Sequence, residues 1–242
     1  MKAIILAAGK GTRMRPLTLE RPKPLVQIGG RPLIEHIASQ LPSEVDEFVI
    51  VIGYLGDMIR EYCGDVFLGR RVTYVVDDEI KGTYRALEKT KHLLREGERF
   101  FVVYADDLHG ADGFKECLKH DRALLVSMVE DPRPYGVIEI DEVGYVRAIE
   151  EKPLHPKTNM VSTGVLLLDY SIFDHAPAMH SGTGEYFLTH AIEQMLSIKK
   201  IMAVSSSFWY PVSTPQDVEQ VEMMMQGDRY NQHSQALKAW QI

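Results

Sequence analysis

The chain has 242 residues, 45% of them hydrophobic and 25% charged, with a formal net charge of −7. That length and composition predict one large α/β domain with a well-buried core and argue against disorder. The acidic balance argues against a nucleic-acid binder, which normally carries a basic surplus, yet it leaves room for a local positive pocket.

The first apolar run, residues 3–8, is far shorter than the ~20 residues of a membrane span. It lacks a small-residue cleavage site and leads straight into a glycine-containing loop, so it reads as a buried strand and the expected location is cytoplasmic. Four further runs follow, at residues 47–52, 72–76, 100–104 and 123–128. All are apolar on both faces and short, as buried parallel strands are. Amphipathic stretches at 32–40, 55–62, 84–95 and 111–120 alternate with them, which implies right-handed crossovers and a Rossmann-like, doubly wound, mostly parallel mixed sheet flanked by helices. Beyond residue 130 the pattern changes. Residues 136–140 and 145–150 alternate in polarity around Asp141-Glu142-Val143-Gly144, which predicts a hairpin. A strand at 161–169, a helix at 186–196, a short strand at 201–204 and a last helix opened by Thr214-Pro215 complete the expected order. The expected organisation is one domain over 1–242: a nucleotide half at about 1–130, an acceptor half at about 131–225 and a tail at 226–242.

Chemistry concentrates at the start. The first strand runs into Leu6-Ala7-Ala8-Gly9-Lys10-Gly11-Thr12-Arg13-Met14-Arg15-Pro16-Leu17-Thr18. Glycines let backbone N–H groups approach phosphate oxygens, and Lys10, Arg13 and Arg15 supply charge to neutralise a polyphosphate. The loop lacks the Gly-Lys-Ser/Thr of a Walker motif and the third glycine of a dinucleotide fingerprint. Ten residues after Arg13, Pro22-Lys23-Pro24-Leu25 holds a lysine between two prolines in stiffened backbone. Cys63 and Cys117 have no partner at metal-ligand spacing and the nine histidines are scattered, so no His/Cys metal site is expected.

The glycine loop combined with the Pro-Lys-Pro-Leu segment resembles the signature of the sugar-phosphate nucleotidyltransferases, which include the glucose-1-phosphate thymidylyl- and uridylyltransferases and the mannose-1-phosphate guanylyltransferases. The resemblance extends to about Val221. It implies transfer of a nucleoside monophosphate from a nucleoside triphosphate to a sugar 1-phosphate, with Mg²⁺ as cofactor. Arg13 and Lys23 are the implied catalytic cations, Arg13 on the leaving pyrophosphate and Lys23 toward the α-phosphate. Leu6, Ala8, Gly9, Lys10, Gly11, Thr12, Asp77, Gly82 and Thr83 would bind the nucleotide. Gly136, Glu151, Lys152 and Thr163 would bind the acceptor, with Lys152 on its phosphate. Asp106, at the carboxyl end of a buried strand, would ligate the metal, the position where ligands collect in α/β sheets.

Two departures from the family pattern stand out. Pro211 occupies the place of a second metal carboxylate, which leaves a non-catalytic binding relative as an alternative and makes Asp107 the nearest other source of charge. Asp77 stands where a base-reading glutamine is common; a carboxylate there accepts from an amino group, as on cytosine or guanine. A non-sugar acceptor such as phosphocholine is a further alternative. No left-handed β-helix extension follows the core, so bifunctional relatives carrying one are expected to match poorly. The expected partners are the two substrates, with no nucleic acid and no membrane, and homo-oligomerisation is left open.

Overall fold

A computed structural model describes residues 1–226; the polar tail expected at 226–242 lies, from 227 on, outside the described residues. Strands Lys2–Ala7, Glu47–Ile52 and Arg99–Tyr104 are apolar at consecutive positions, so neither face can be left in water. They pair in parallel, with Lys2–Ala7 between the other two and Arg70–Val76 added beyond Glu47–Ile52. Alternate side chains divide between two cores. Ile5, Ile50 and Phe101 join one face with the helices Leu33–Gln40 and Gly56–Cys63, while Ile4, Val49 and Phe100 join the other with Leu188–Met195. Helices on both faces of a sheet that is parallel through its centre make the doubly wound arrangement expected from the sequence. The in-register pairing of Leu6 with Val51 and Tyr104 brings the carboxyl ends of the strands out along one edge.

The second half of the sheet is mixed in direction. Strand Met160–Asp169 pairs antiparallel with both Arg99–Tyr104 and Ala123–Met128. Residues 123–128 thus run in the same direction as the central strands, as the sequence predicts, and pair in parallel with Met202–Ser205 on the other edge; the reversed element is Met160–Asp169 between them. An apolar run records that both faces are buried and carries no information about strand direction. The hairpin forms as expected between Gly136–Ile140 and Val146–Glu151, and Asp141 Oδ1 accepts the N–H groups of Val143 and Tyr145 to close its turn.

The helix expected over 84–95 is broken. Thr83–Glu88 is α-helical, and Lys91–Leu93 continues as a tighter 3₁₀ turn. The buried Thr90 hydroxyl donates to the Leu87 carbonyl at 2.7 Å, and its own N–H bonds the same oxygen at 2.9 Å, so the chain tightens there. At the last helix, Thr214 and Asp217 form a reciprocal capping pair: Asp217 Oδ2 accepts from the N–H of Ser213 and Thr214, and Thr214 Oγ1 accepts from the N–H of Asp217. Both cysteines are buried and unpaired, and burial pushes each thiol up to about 12. Among the described residues no helix is long and apolar enough to cross a membrane.

Candidate active site

Two cavities meet at the carboxyl edge of the sheet. The first, about 230 Å³, is walled by Leu6, Ala8 and Gly9 from the end of the first strand, Lys23 and Pro24, Asp77, and Gly82 and Thr83. The second, about 280 Å³, is walled by Arg13, Tyr135, Gly136, Glu151, Lys152 and Thr163. Gly82, Thr83, Tyr104, Asp106 and Glu185 line both, so the cavities share a wall.

Asp106 stands in that shared wall, and Lys23 approaches it from the first cavity. Lys23 is buried, and its Nζ lies 3.3 Å from Asp106 Oδ2. The Asp106 side chain remains 38% exposed, enough for a ligand to reach it. Proline on both sides of Lys23 starts a short 3₁₀ turn, which aims the ammonium group at the end of the Arg99–Tyr104 strand. Gly11 closes over this lysine with φ 58°, and a Cβ there would lie 3.0 Å from Lys23 Cβ. Only glycine combines that left-handed backbone with that approach. Thr18 Oγ1 donates to the Gly11 carbonyl at 2.7 Å and pins the loop.

The loop cations divide. Arg13 reaches the second cavity, whereas Lys10, Gly11 and Thr12 line neither. Arg13 has no ion-pair partner among the described residues. Lys152 enters the second cavity from the opposite side, at the end of the hairpin. Its Nζ lies 3.2 Å from Glu151 Oε1 and 5.1 Å from the centre of the Phe187 ring, and Glu151 Oε2 accepts from the Thr189 hydroxyl at 3.0 Å. Lys152 holds φ 47°, an uncommon conformation for a residue with a side chain, and its N–H donates to the Tyr135 carbonyl at 2.9 Å. Strain of that kind, about 1–3 kcal/mol, persists where the surrounding structure over-determines it and clusters at binding sites.

Two expected site residues have different surroundings from those the sequence suggested. Thr163 borders the second cavity, but its hydroxyl donates to the Leu125 carbonyl at 3.2 Å and its own carbonyl contacts His109 Nε2 at 2.8 Å. It shapes the wall more than it offers a free hydroxyl. Asp77 lines the first cavity but also meets Lys89 Nζ at 3.1 Å. Residues that sequence reasoning left out of the site are Tyr104, Glu185 and Phe187. The Tyr104 position, two residues before Asp106 at the end of a buried strand, was the available signal.

Asp107, the nearest other acid to Pro211, is held differently from Asp106. Its Oδ2 accepts the indole N–H of Trp209 at 3.0 Å, and the Trp209–Pro211 strand runs antiparallel to Asp107–His109 with Pro211 opposite Asp107. Burial first, and the neighbouring Asp106 carboxylate second, hold the Asp107 carboxyl well above the usual carboxylate range. Asp217, the next acid along, is occupied in capping the last helix. Among the described residues no three His, Cys, Asp or Glu side chains converge as a preformed metal cage. Magnesium usually takes one or two protein carboxylates and completes its shell with phosphates and water, so Asp106 alone fits that mode.

The nucleotidyl transferase family profile matches residues 2–227. The bifunctional protein GlmU of Methanocaldococcus jannaschii is 32% identical over 220 residues, which cover 90% of this chain and 52% of that protein. The chain thus spans about half the length of that relative, and a bifunctional protein does match, against the sequence expectation, through that half. The UTP–glucose-1-phosphate uridylyltransferase AglF of Haloferax volcanii is 31% identical over 237 residues, covering 93% of this chain and 97% of the relative. A Bacillus anthracis protein crystallised with sucrose and assigned as a glucose-1-phosphate thymidylyltransferase superposes with a TM-score of 0.82 at 26% identity, over 96% of this chain and 99% of its own. The glycine loop, the paired cavities and a match along nearly the whole described chain carry one conclusion: this chain belongs to the nucleotidyl transferase family.

Proposed function

We propose that the chain transfers a nucleoside monophosphate from a nucleoside triphosphate to a sugar 1-phosphate, forming a nucleoside diphosphate sugar and releasing pyrophosphate. The observation that carries this reading is the pair of cavities sharing a wall at Asp106, the first lined by Lys23 and the end of the first strand and the second lined by Arg13 and Lys152. The names of the uridylyl- and thymidylyltransferase relatives support the acceptor class.

In the reaction an oxygen of the acceptor phosphate attacks the α-phosphorus, the bond to the bridging oxygen of the β-phosphate breaks, and pyrophosphate leaves with that electron pair. No covalent intermediate with the protein is needed, so positioning and charge stabilisation carry the catalysis. The backbone of Ala8 and Gly9 would bind the triphosphate. Lys23 would stabilise charge on the α-phosphate, and Arg13 the charge that develops as pyrophosphate departs. Lys152, held by Glu151 and Phe187, would fix the acceptor phosphate. Asp106 would hold magnesium, which when bound neutralises phosphate charge. Residues 1–130 then serve as the nucleotide half and 131–225 as the acceptor half. The nucleoside triphosphate requirement points to the cytoplasm.

A matrix of nucleoside triphosphates against phosphorylated acceptors, read by pyrophosphate release, tests the proposal. Sugar 1-phosphates should be the productive column. Activity with phosphocholine alone would move the acceptor class, and nucleotide binding without pyrophosphate release from any pair would favour the binding-only reading to which Pro211 gives support.

A further inference from the structure

Phe187 lines the second cavity and precedes the helix Leu188–Met195. Two imidazoles that do not line that cavity meet the Phe187 ring edge-on: His180, with ring centres 5.5 Å apart, and His190, at 5.6 Å. The two imidazole rings lie 6.0 Å from each other, tilted by 39°. Both border a third, solvent-open cavity of about 450 Å³, together with Met179, Glu193 and Gln194. Among the described residues no lysine or arginine borders it. The histidines are ten residues apart, a spacing that matches no ligand motif. The chain brings them together by a tight turn, in which the His180 N–H donates to the Glu185 carbonyl and the Gly184 N–H to the His180 carbonyl, both at 2.8 Å.

One metal ion fits between rings at this spacing. An imidazole nitrogen binds zinc at about 2.0–2.1 Å, and the ring centre lies about 1.1 Å beyond it, so the ion sits roughly 3.2 Å from each centre. Two rings on one ion then have centres about 5.2 Å apart at a tetrahedral angle and about 6.4 Å apart when opposed. The observed 6.0 Å falls inside that range. The His180 ring is already anchored, with Nδ1 at 3.2 Å from both the hydroxyl oxygen and the backbone nitrogen of Thr183. Thr183 Oγ1 can accept the Nδ1 proton, which leaves the lone pair on Nε2. An outer hydrogen bond of that kind fixes the tautomer of most metal-bound histidines. Neither Nε2 of His180 nor either ring nitrogen of His190 has a hydrogen-bond partner among the described residues. Glu193 stands three residues beyond His190 on the same helix face, so its exposed carboxylate can swing toward the same ion. No three ligands converge beforehand among the described residues, so the two imidazoles are the fixed part of the site.

We propose that His180 and His190 form a second metal site, sharing no residue with the cavities at Asp106, that takes a divalent transition ion of the zinc, copper or nickel class, with Glu193 and water completing its shell. Imidazole nitrogen suits those ions, whereas magnesium keeps to carboxylates, phosphates and water. The two sites therefore sort their metals by ligand type. An ion held by both rings joins the 180–185 turn to the helix beside Phe187. Glu185, at the end of that turn, lines both active-site cavities, so the ion stiffens a segment that they share. The assignment does not depend on the proposed reaction.

The test is calorimetric titration of the metal-stripped full chain with Zn²⁺, in excess Mg²⁺ to compete for carboxylates, for the wild type, His180→Gln, His190→Ala, Asp106→Asn and, as a surface control, His92→Ala. A single Zn²⁺ per chain should bind the wild type, Asp106→Asn and His92→Ala alike. His180→Gln and His190→Ala should each weaken it ten-fold or more, since even an outer-shell partner is worth about 10–100-fold in metal affinity. Cu²⁺ at one equivalent should show, by electron paramagnetic resonance, splitting from two imidazole nitrogens in the wild type and from no more than one in either histidine variant. Unchanged zinc affinity in both histidine variants overturns the proposal. So does loss of zinc in Asp106→Asn, which would put the ion at the active site. If a histidine variant does not fold, the wild-type copper spectrum still decides: fewer than two coordinated nitrogens overturns the site.

Discussion

Arg13 and Lys152 face the same cavity from opposite halves of the chain, and their expected contributions differ. Arg13→Ala should lower kcat by on the order of 10²–10³, the usual cost of one charge contact made in the transition state. The exposed loop position should leave the thermal midpoint unchanged. Lys152→Ala should raise the KM for the acceptor while nucleotide affinity, read by calorimetry, stays within a factor of about two. The neighbouring acids separate just as sharply. Asp106→Asn should abolish pyrophosphate release, because it removes the carboxylate that faces Lys23 at the junction. Asp107→Asn should keep most of the turnover, because an amide oxygen still accepts from Trp209. Equal losses in the two variants would reject this division of roles.

At the level of elements, the helix start at Gly82 ties the two halves together. Its φ is 100°, and a Cβ there would lie 2.7 Å from both the backbone N and the backbone O of Tyr186. The Tyr84 N–H donates to the Tyr186 carbonyl at 2.9 Å, and the Thr83 hydroxyl accepts from the Leu188 N–H at 2.9 Å. Two backbones in contact cannot yield by a side-chain rotation. Gly82→Ala should therefore cost about 1–3 kcal/mol or more through backbone strain and displacement. Because Gly82 lines both cavities, affinity for both substrates should fall together. Urea unfolding and paired KM measurements check this, and loss of one affinity alone would refute it.

For the whole molecule, the telling group is His109, fully enclosed where the two halves pack. Burial above all holds its imidazole down to about 4. The unfolded chain takes up a proton near the ordinary histidine value of ~6.5, whereas the folded chain keeps this ring neutral to much lower pH. Between those values the unfolded state binds more protons, so stability should decline as pH falls from about 6.5 toward 4, by at most on the order of 3 kcal/mol from this residue. His109→Gln can retain a donor toward the Thr163 carbonyl and should flatten that part of the profile. Urea midpoints across the range, wild type against variant, give the comparison.

The glycine loop, the proline-framed Lys23 and the acid at the end of residues 99–104 were legible in the sequence because they are local. Gly11 must adopt a left-handed backbone, the prolines restrict φ at their own positions, and a run apolar on both faces must be buried. The central strands and the hairpin followed from the same periodicities. What the sequence could not decide were relations between distant segments. Trp209 reaches Asp107 across 102 residues, and that pairing engages one oxygen of the acid that lies opposite Pro211. The insertion of residues 160–169 antiparallel between two strands, the Thr163 hydroxyl turned to Leu125, Arg13 in the second cavity and Lys89 behind Asp77 are of the same kind. Periodicity and turn chemistry fix how each segment bends and which face it buries. Packing alone selects which segment lies beside it, and therefore which side chains face the substrates.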